Sequence, residues 1–99
     1  GEEDTELLKE KVFRGFERMS ARSSFPQIPK EFKDAIDFEM AVNFLASHLP
    51  IEGEEKQKLL ELGDLSLRAK VLLQYLESGL RVDLAADFGI GFAGDLRMN

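Results

Sequence analysis

Residues 64–80 read DLSLRAKVLLQYLESGL. Within this stretch Ala69, Leu72, Leu73, Leu76 and Leu80 recur at spacings of three and four, the period of one face of an α-helix. Asp64 or Ser66 suits the start, because either side-chain oxygen accepts a hydrogen bond from a backbone N–H that the first helical turn leaves without a partner. Gly79 stands where such a helix ends. An apolar stripe of this kind is stable only against other apolar stripes, so the fold depends on what the rest of the chain supplies.

Upstream, three further segments carry the same period. From about Asp4 to Ala21, Leu8, Val12, Phe16 and Met19 form one face, which Phe13 widens. Asp4 or Thr5 caps its start, and the early acids Glu2, Glu3 and Asp4 complement the positive end of the helix dipole. Ser20 to Pro29, with paired serines and two prolines, reads as an extended link anchored by Phe25 and Ile28. Helical signal resumes after Lys30. Asp34 or Asp37 caps a helix running to about His48, with Ile36, Met40, Phe44, Ala41, Leu45 and His48 on one wide apolar face. Pro50 ends it. A short helix follows from about Glu54 to Leu62, for which Gly63 is the expected left-handed terminator.

No segment alternates apolar and polar residues as a strand does. The expected fold is therefore all-α, a compact bundle of about four helices over residues 1–80. Residues 81–99 change character. Val82 to Ala86 suit a helical turn or two, and Gly89, Gly91 and Gly94 then weaken regular structure, giving a loosely packed tail.

Composition narrows the function. Apolar residues are 43% and charged residues 32% of the 99, the balance of a globular chain. The net charge of -6 without a basic stripe disfavours phosphate backbones and anionic membranes as partners. There is no cysteine, so disulfides, thiolate catalysis and cysteine zinc sites are excluded, which fits a reducing, cytoplasmic location. Nothing approaches a membrane span or a signal peptide. The chain opens on Gly1 rather than Met, the start expected of a piece of a longer protein.

Residues that suggest chemistry have simpler readings. Gly89-Ile90-Gly91-Phe92-Ala93-Gly94 matches the dinucleotide fingerprint in letters, but that loop works only between a strand and a helix. The single histidine, His48, sits at a helix C-terminus without sequence neighbours that would orient it as base or ligand. Ser66 and Lys70 are one turn apart but lack an oxyanion-binding turn. Glu52-Gly53-Glu54-Glu55 opens a helix and lacks the remaining donors of a calcium loop. No cofactor is expected, and the chain reads as a non-catalytic binding module. Its eight phenylalanines are the informative excess. They divide between core and contact surface, and the candidate partner-binding set is Phe13, Phe16, Phe25, Phe32 and Phe38.

The order of features from Val12 onward resembles the helical half of the N-terminal domain of Lon proteases and their free-standing relatives. Ile28-Pro29-Lys30-Glu31-Phe32 is similar to the family's link, in which a proline and an acid open a short helix. Ala41 to Pro50 resembles its second segment, with the same apolar-proline stop. Glu54-Glu55-Lys56-Gln57-Lys58-Leu59-Leu60-Glu61 is similar to the helix after it. Leu62-Gly63-Asp64-Leu65-Ser66-Leu67-Arg68 and Leu72-Leu73-Gln74-Tyr75-Leu76-Glu77 resemble the connection and final helix that follow. The resemblance implies recognition of exposed apolar segments of client proteins in protein quality control, with no hydrolysis by this chain. It departs from the family in lacking the β-rich lobe, the ATPase phosphate loop and the serine-lysine protease domain. The tail after Leu80 does not resemble the charged helix leading to the ATPase, which favours a free-standing Lon-domain protein. The rival expectation is a helical domain that self-associates or buttresses the missing lobe. A helix-turn-helix DNA reader built on Leu62–Gly79 ranks behind both, because Arg68 and Lys70 are its only cations. The oligomeric state is left open.

Overall fold

The computed structural model describes residues 4–21 and 28–90. Helix α1 (Thr5–Ser20) begins at Asp4, whose carboxylate accepts from the Leu7 N–H at 3.0 Å. It buries Leu8, Val12 and Phe16 along one line and Lys9 and Phe13 along the next, as the widened stripe requires. Phe25 and most of the link lie outside the described residues. The chain then forms α2 (Lys30–Ala35), a short helix that Pro29 precedes. Proline suits this place because its fixed φ is helical and its missing N–H leaves no donor to satisfy.

Of the two starts expected for the helix running to about His48, the chain uses the later one. Ile36 is extended (φ -91°, ψ 150°), and Asp37 opens α3 (Phe38–Ser47) by accepting from the Met40 N–H at 2.8 Å. Asp34 caps nothing; it sits inside α2, 2.7 Å from Lys30 one turn earlier. The short helix implied by the proline-acid resemblance is therefore present. Helix α4 (Gly53–Leu60) ends one or two residues before the expected Leu62. Gly63 is not left-handed, and Glu61 caps α4 in the right-handed region. The reason is Arg68. Its Nε donates to the Leu62 carbonyl at 3.2 Å, Nη2 reaches the same oxygen, and Nη1 donates to Asn43 Oδ1 at 2.7 Å. A guanidinium clamps this turn, so no left-handed glycine is needed.

Helix α5 (Leu65–Glu77) starts on Asp64, which accepts from the Leu67 N–H at 3.2 Å. It stops at Gly79 and Leu80, both left-handed with φ of 70° and 69°. Leu80 is a non-glycine in that region, and its N–H returns to the Tyr75 carbonyl at 2.7 Å. The first part of the tail carries one short helix. Asp83 caps α6 (Leu84–Phe88), and Gly89, left-handed at φ 67°, ends it. Val82, Leu84, Phe88 and Ile90 are half-buried against the core. Gly91, Phe92 and Gly94 lie outside the described residues.

Among the described residues every regular element is a helix. The four longer helices α1, α3, α4 and α5 make the expected bundle, with α2 and α6 as short additions. The core lies where α1, α3 and α5 meet, with α4 closing one side. Gly15 lets α1 approach α5: a Cβ there would stand 3.3 Å from Leu76. No helix among the described residues is long and apolar enough to cross a membrane.

Candidate functional site

Helix α3 has two apolar edges. Ala41, Val42, Leu45 and Ala46 are wholly buried. Met40 and Phe44 lie one turn apart along the other edge; Met40 is 57% exposed, and Phe44 is half-buried against the core. Phe32 of α2 lies beside them with 37% of its surface in solvent. Its ring meets Phe44 edge-on, with centroids 5.2 Å apart and planes at 60°. This is the favourable geometry for two aromatic quadrupoles, and it fixes both rings without covering them. The His48 ring continues the row, 4.5 Å from Phe44. His48 Nδ1 lies 2.8 Å from the Phe44 carbonyl, an acceptor only, so this nitrogen carries the hydrogen. Lys56 Nζ donates to the Ser47 carbonyl at 3.0 Å, satisfying another C-terminal carbonyl of α3. The result is a rigid ledge of Phe32, Met40, Phe44 and His48 across α2 and α3.

On the other side of α2, facing α1, is a cleft of about 620 Å³. Leu7 and Phe13 give it apolar walls, and Lys9, Glu10, Arg14, Glu17, Lys33 and Asp34 supply charge. These charges largely cancel. Lys33 pairs with Glu17 at 3.0 Å and Arg14 with Glu10 at 3.3 Å. Lys30 holds the Asp34 carboxyl below its ordinary pKa, chiefly through their hydrogen bond, and is itself raised by it. The Lys9 ammonium, on a buried side chain, donates to the Ile36 carbonyl between α2 and α3. Among the described residues no three His, Cys, Asp or Glu side chains converge as a metal site would need.

The structure disperses the five phenylalanines singled out in the sequence. Phe13 and Phe16 are core side chains, 3% and 1% exposed. Phe38 is half-buried against the core, and Phe25 lies outside the described residues. Of the four that are described only Phe32 is exposed, and its neighbours Met40 and Phe44 were placed with the core face. A signal for them was present. Ala41, Val42, Leu45 and Ala46 already fill one side of α3, so the additional arc of Met40, Phe44 and His48 exceeds what a single packed face uses.

Among the described residues the fold is an all-helical bundle that leaves Phe32 and Met40 in solvent. The chain belongs to the family of the ATP-dependent protease La (LON) substrate-binding domain, which matches residues 1–78. It is also 43% identical over 61 residues to the Lon protease of Amoebophilus asiaticus (strain 5a2), an overlap covering 58% of this chain. The chain spans 7% of the length of that relative. No solved structure gives a significant match.

Proposed function

We propose that the chain is a non-catalytic recognition module that binds exposed apolar segments of client proteins on the ledge of α2 and α3. Family membership supports a role in engaging protein substrates. The observation that carries the finer reading is the exposure of Phe32 and Met40 beside a fixed Phe44 ring. Two rings already held edge-on lose little further entropy when a partner covers them. Covering the remaining surface of Phe32 and Met40 gains on the order of 4–5 kcal/mol at about 25 cal/mol per Å². Association entropy consumes much of this, so a short segment binds weakly, with a Kd above about 1 mM.

Amide NMR of the isotope-labelled chain, titrated with an unfolded phenylalanine-rich segment and with a charge-matched polar peptide, tests the proposal. Saturable shifts around Phe32, Met40 and Phe44 with the first peptide alone are expected. Their loss in a Phe32→Ala, Met40→Ser variant of unchanged fold locates the site. Shifts confined to the α1–α2 cleft, or none, overturn the reading; a mass that rises with protein concentration then points to self-association instead.

A further inference from the structure

The charges at the edge of the ledge have a direction. Glu31 immediately precedes Phe32, and Glu39 immediately precedes Met40; both are exposed. Among the described residues neither forms an ion pair. The cations of α2, by contrast, are engaged elsewhere: Lys30 with Asp34 and Lys33 with Glu17. Asp37, at the junction of the two helices, uses one carboxylate oxygen on the Met40 N–H. The cation at this junction is the buried Lys9 ammonium on the Ile36 carbonyl, one charge against the three carboxylates of Glu31, Asp37 and Glu39. Lys56 stands at the far end of α3 beyond His48. That end lies about 12 Å along the helix from Met40 at 1.5 Å per residue. The uncompensated charge beside Phe32 and Met40 is therefore negative, on a chain whose net charge is -6.

We infer that the preferred occupant of the ledge is an aromatic or aliphatic client segment flanked by Lys or Arg. The inference rests on the apolar reading of the ledge and adds the charge of what it selects. The apolar anchor covers Phe32, Met40 and Phe44, while a flanking ammonium or guanidinium lies beside Glu31 and Glu39. An acidic flank meets like charge at the same place and is disfavoured. Glu31 and Glu39 are specificity-determining residues in this arrangement; each also lies in the first turn of its helix, where a carboxylate adds slightly to stability.

Two peptides with one shared Phe-Leu-Phe anchor, one flanked by lysines and the other by glutamates, separate the two levels of the proposal. Titrated against the whole chain at low salt, the lysine peptide is expected to bind about 3- to 10-fold more tightly. The ratio falls towards one at about 1 M salt, where screening is nearly complete. The Glu31→Gln, Glu39→Gln variant is expected to stay folded and lose most of the preference. Equal binding of the two peptides overturns the charge selection and leaves apolar recognition standing. A preference unchanged in the double variant overturns the assignment to Glu31 and Glu39, since it then comes from the diffuse net charge. Binding of neither peptide overturns the apolar ledge itself.

Discussion

The two apolar edges of α3 differ in size of side chain as well as in exposure. The inner edge is small and smooth: Ala41, Val42, Leu45 and Ala46 have no exposed surface and let α1 and α5 come close. The outer edge is large and aromatic or thioether: Met40, Phe44 and His48, joined by Phe32 from α2. Ten residues thus serve two purposes, with Asp37 setting the rotation that sends each set to its side. The comparison teaches that hydrophobicity alone does not mark a core position on this helix. Alanine and aliphatic side chains pack inward, while the Met40 side chain remains largely in solvent.

The largest expected effect lies on the inner edge. Leu45→Ala removes a fully buried side chain, and a loss of about 2–5 kcal/mol is expected in chemical denaturation. A loss below about 1 kcal/mol would mean that α3 is not packed on this side as described. Asp37→Ala removes the cap common to both edges and should cost about 1 kcal/mol. Asp37→Asn, which keeps the acceptor, should recover most of it; failure to do so would assign the effect to charge rather than capping.

The third prediction uses the core beyond α3. Tyr75 is the chain's single tyrosine, and burial, helped by the Glu55 charge, raises its pKa above the ordinary 10.0. The folded state thus favours the neutral phenol. Its contribution is fully present below the unfolded pKa and is lost as pH rises through the folded value. The phenolate absorbance should titrate later in the folded chain than in denaturant, and Tyr75→Phe should flatten the alkaline fall in stability. Coincident titrations would show that the ring is not shielded.

The smallest effect on stability belongs to the outer edge. Met40→Ser should change unfolding free energy by no more than about 0.5 kcal/mol while weakening binding of an apolar client segment. If it destabilises the chain as Leu45→Ala does, the contrast between the two edges collapses.

Much of the fold was legible because its signals are local. Asp4, Asp37 and Asp64 are each one of the two caps proposed for their helices, and each receives the N–H three residues on. The errors came from interactions between distant residues. Gly63 lost its expected role because Arg68 takes the Leu62 carbonyl, and no reading of nearest neighbours contains that bond. The division at Ile36 was legible only through the proline-acid pattern before it, since a six-residue helix is too short to display a period. Of the site, Phe32 was readable as an outlier. Met40 and Phe44 were not separated from Ala41 and Leu45, because helical spacing assigns residues to an arc without saying where the neighbours stop.

A surface assembled from two helices is like a jaw, and its opening is set at the joint. Here the joint is the Ile36 carbonyl, and what holds it is the Lys9 ammonium reaching across from α1. The junction between the helices that carry Phe32 and Phe44 is thus tied to α1 through a backbone carbonyl. Shortening that tether would retune the jaw for clients of a different width without altering a single atom of its bite.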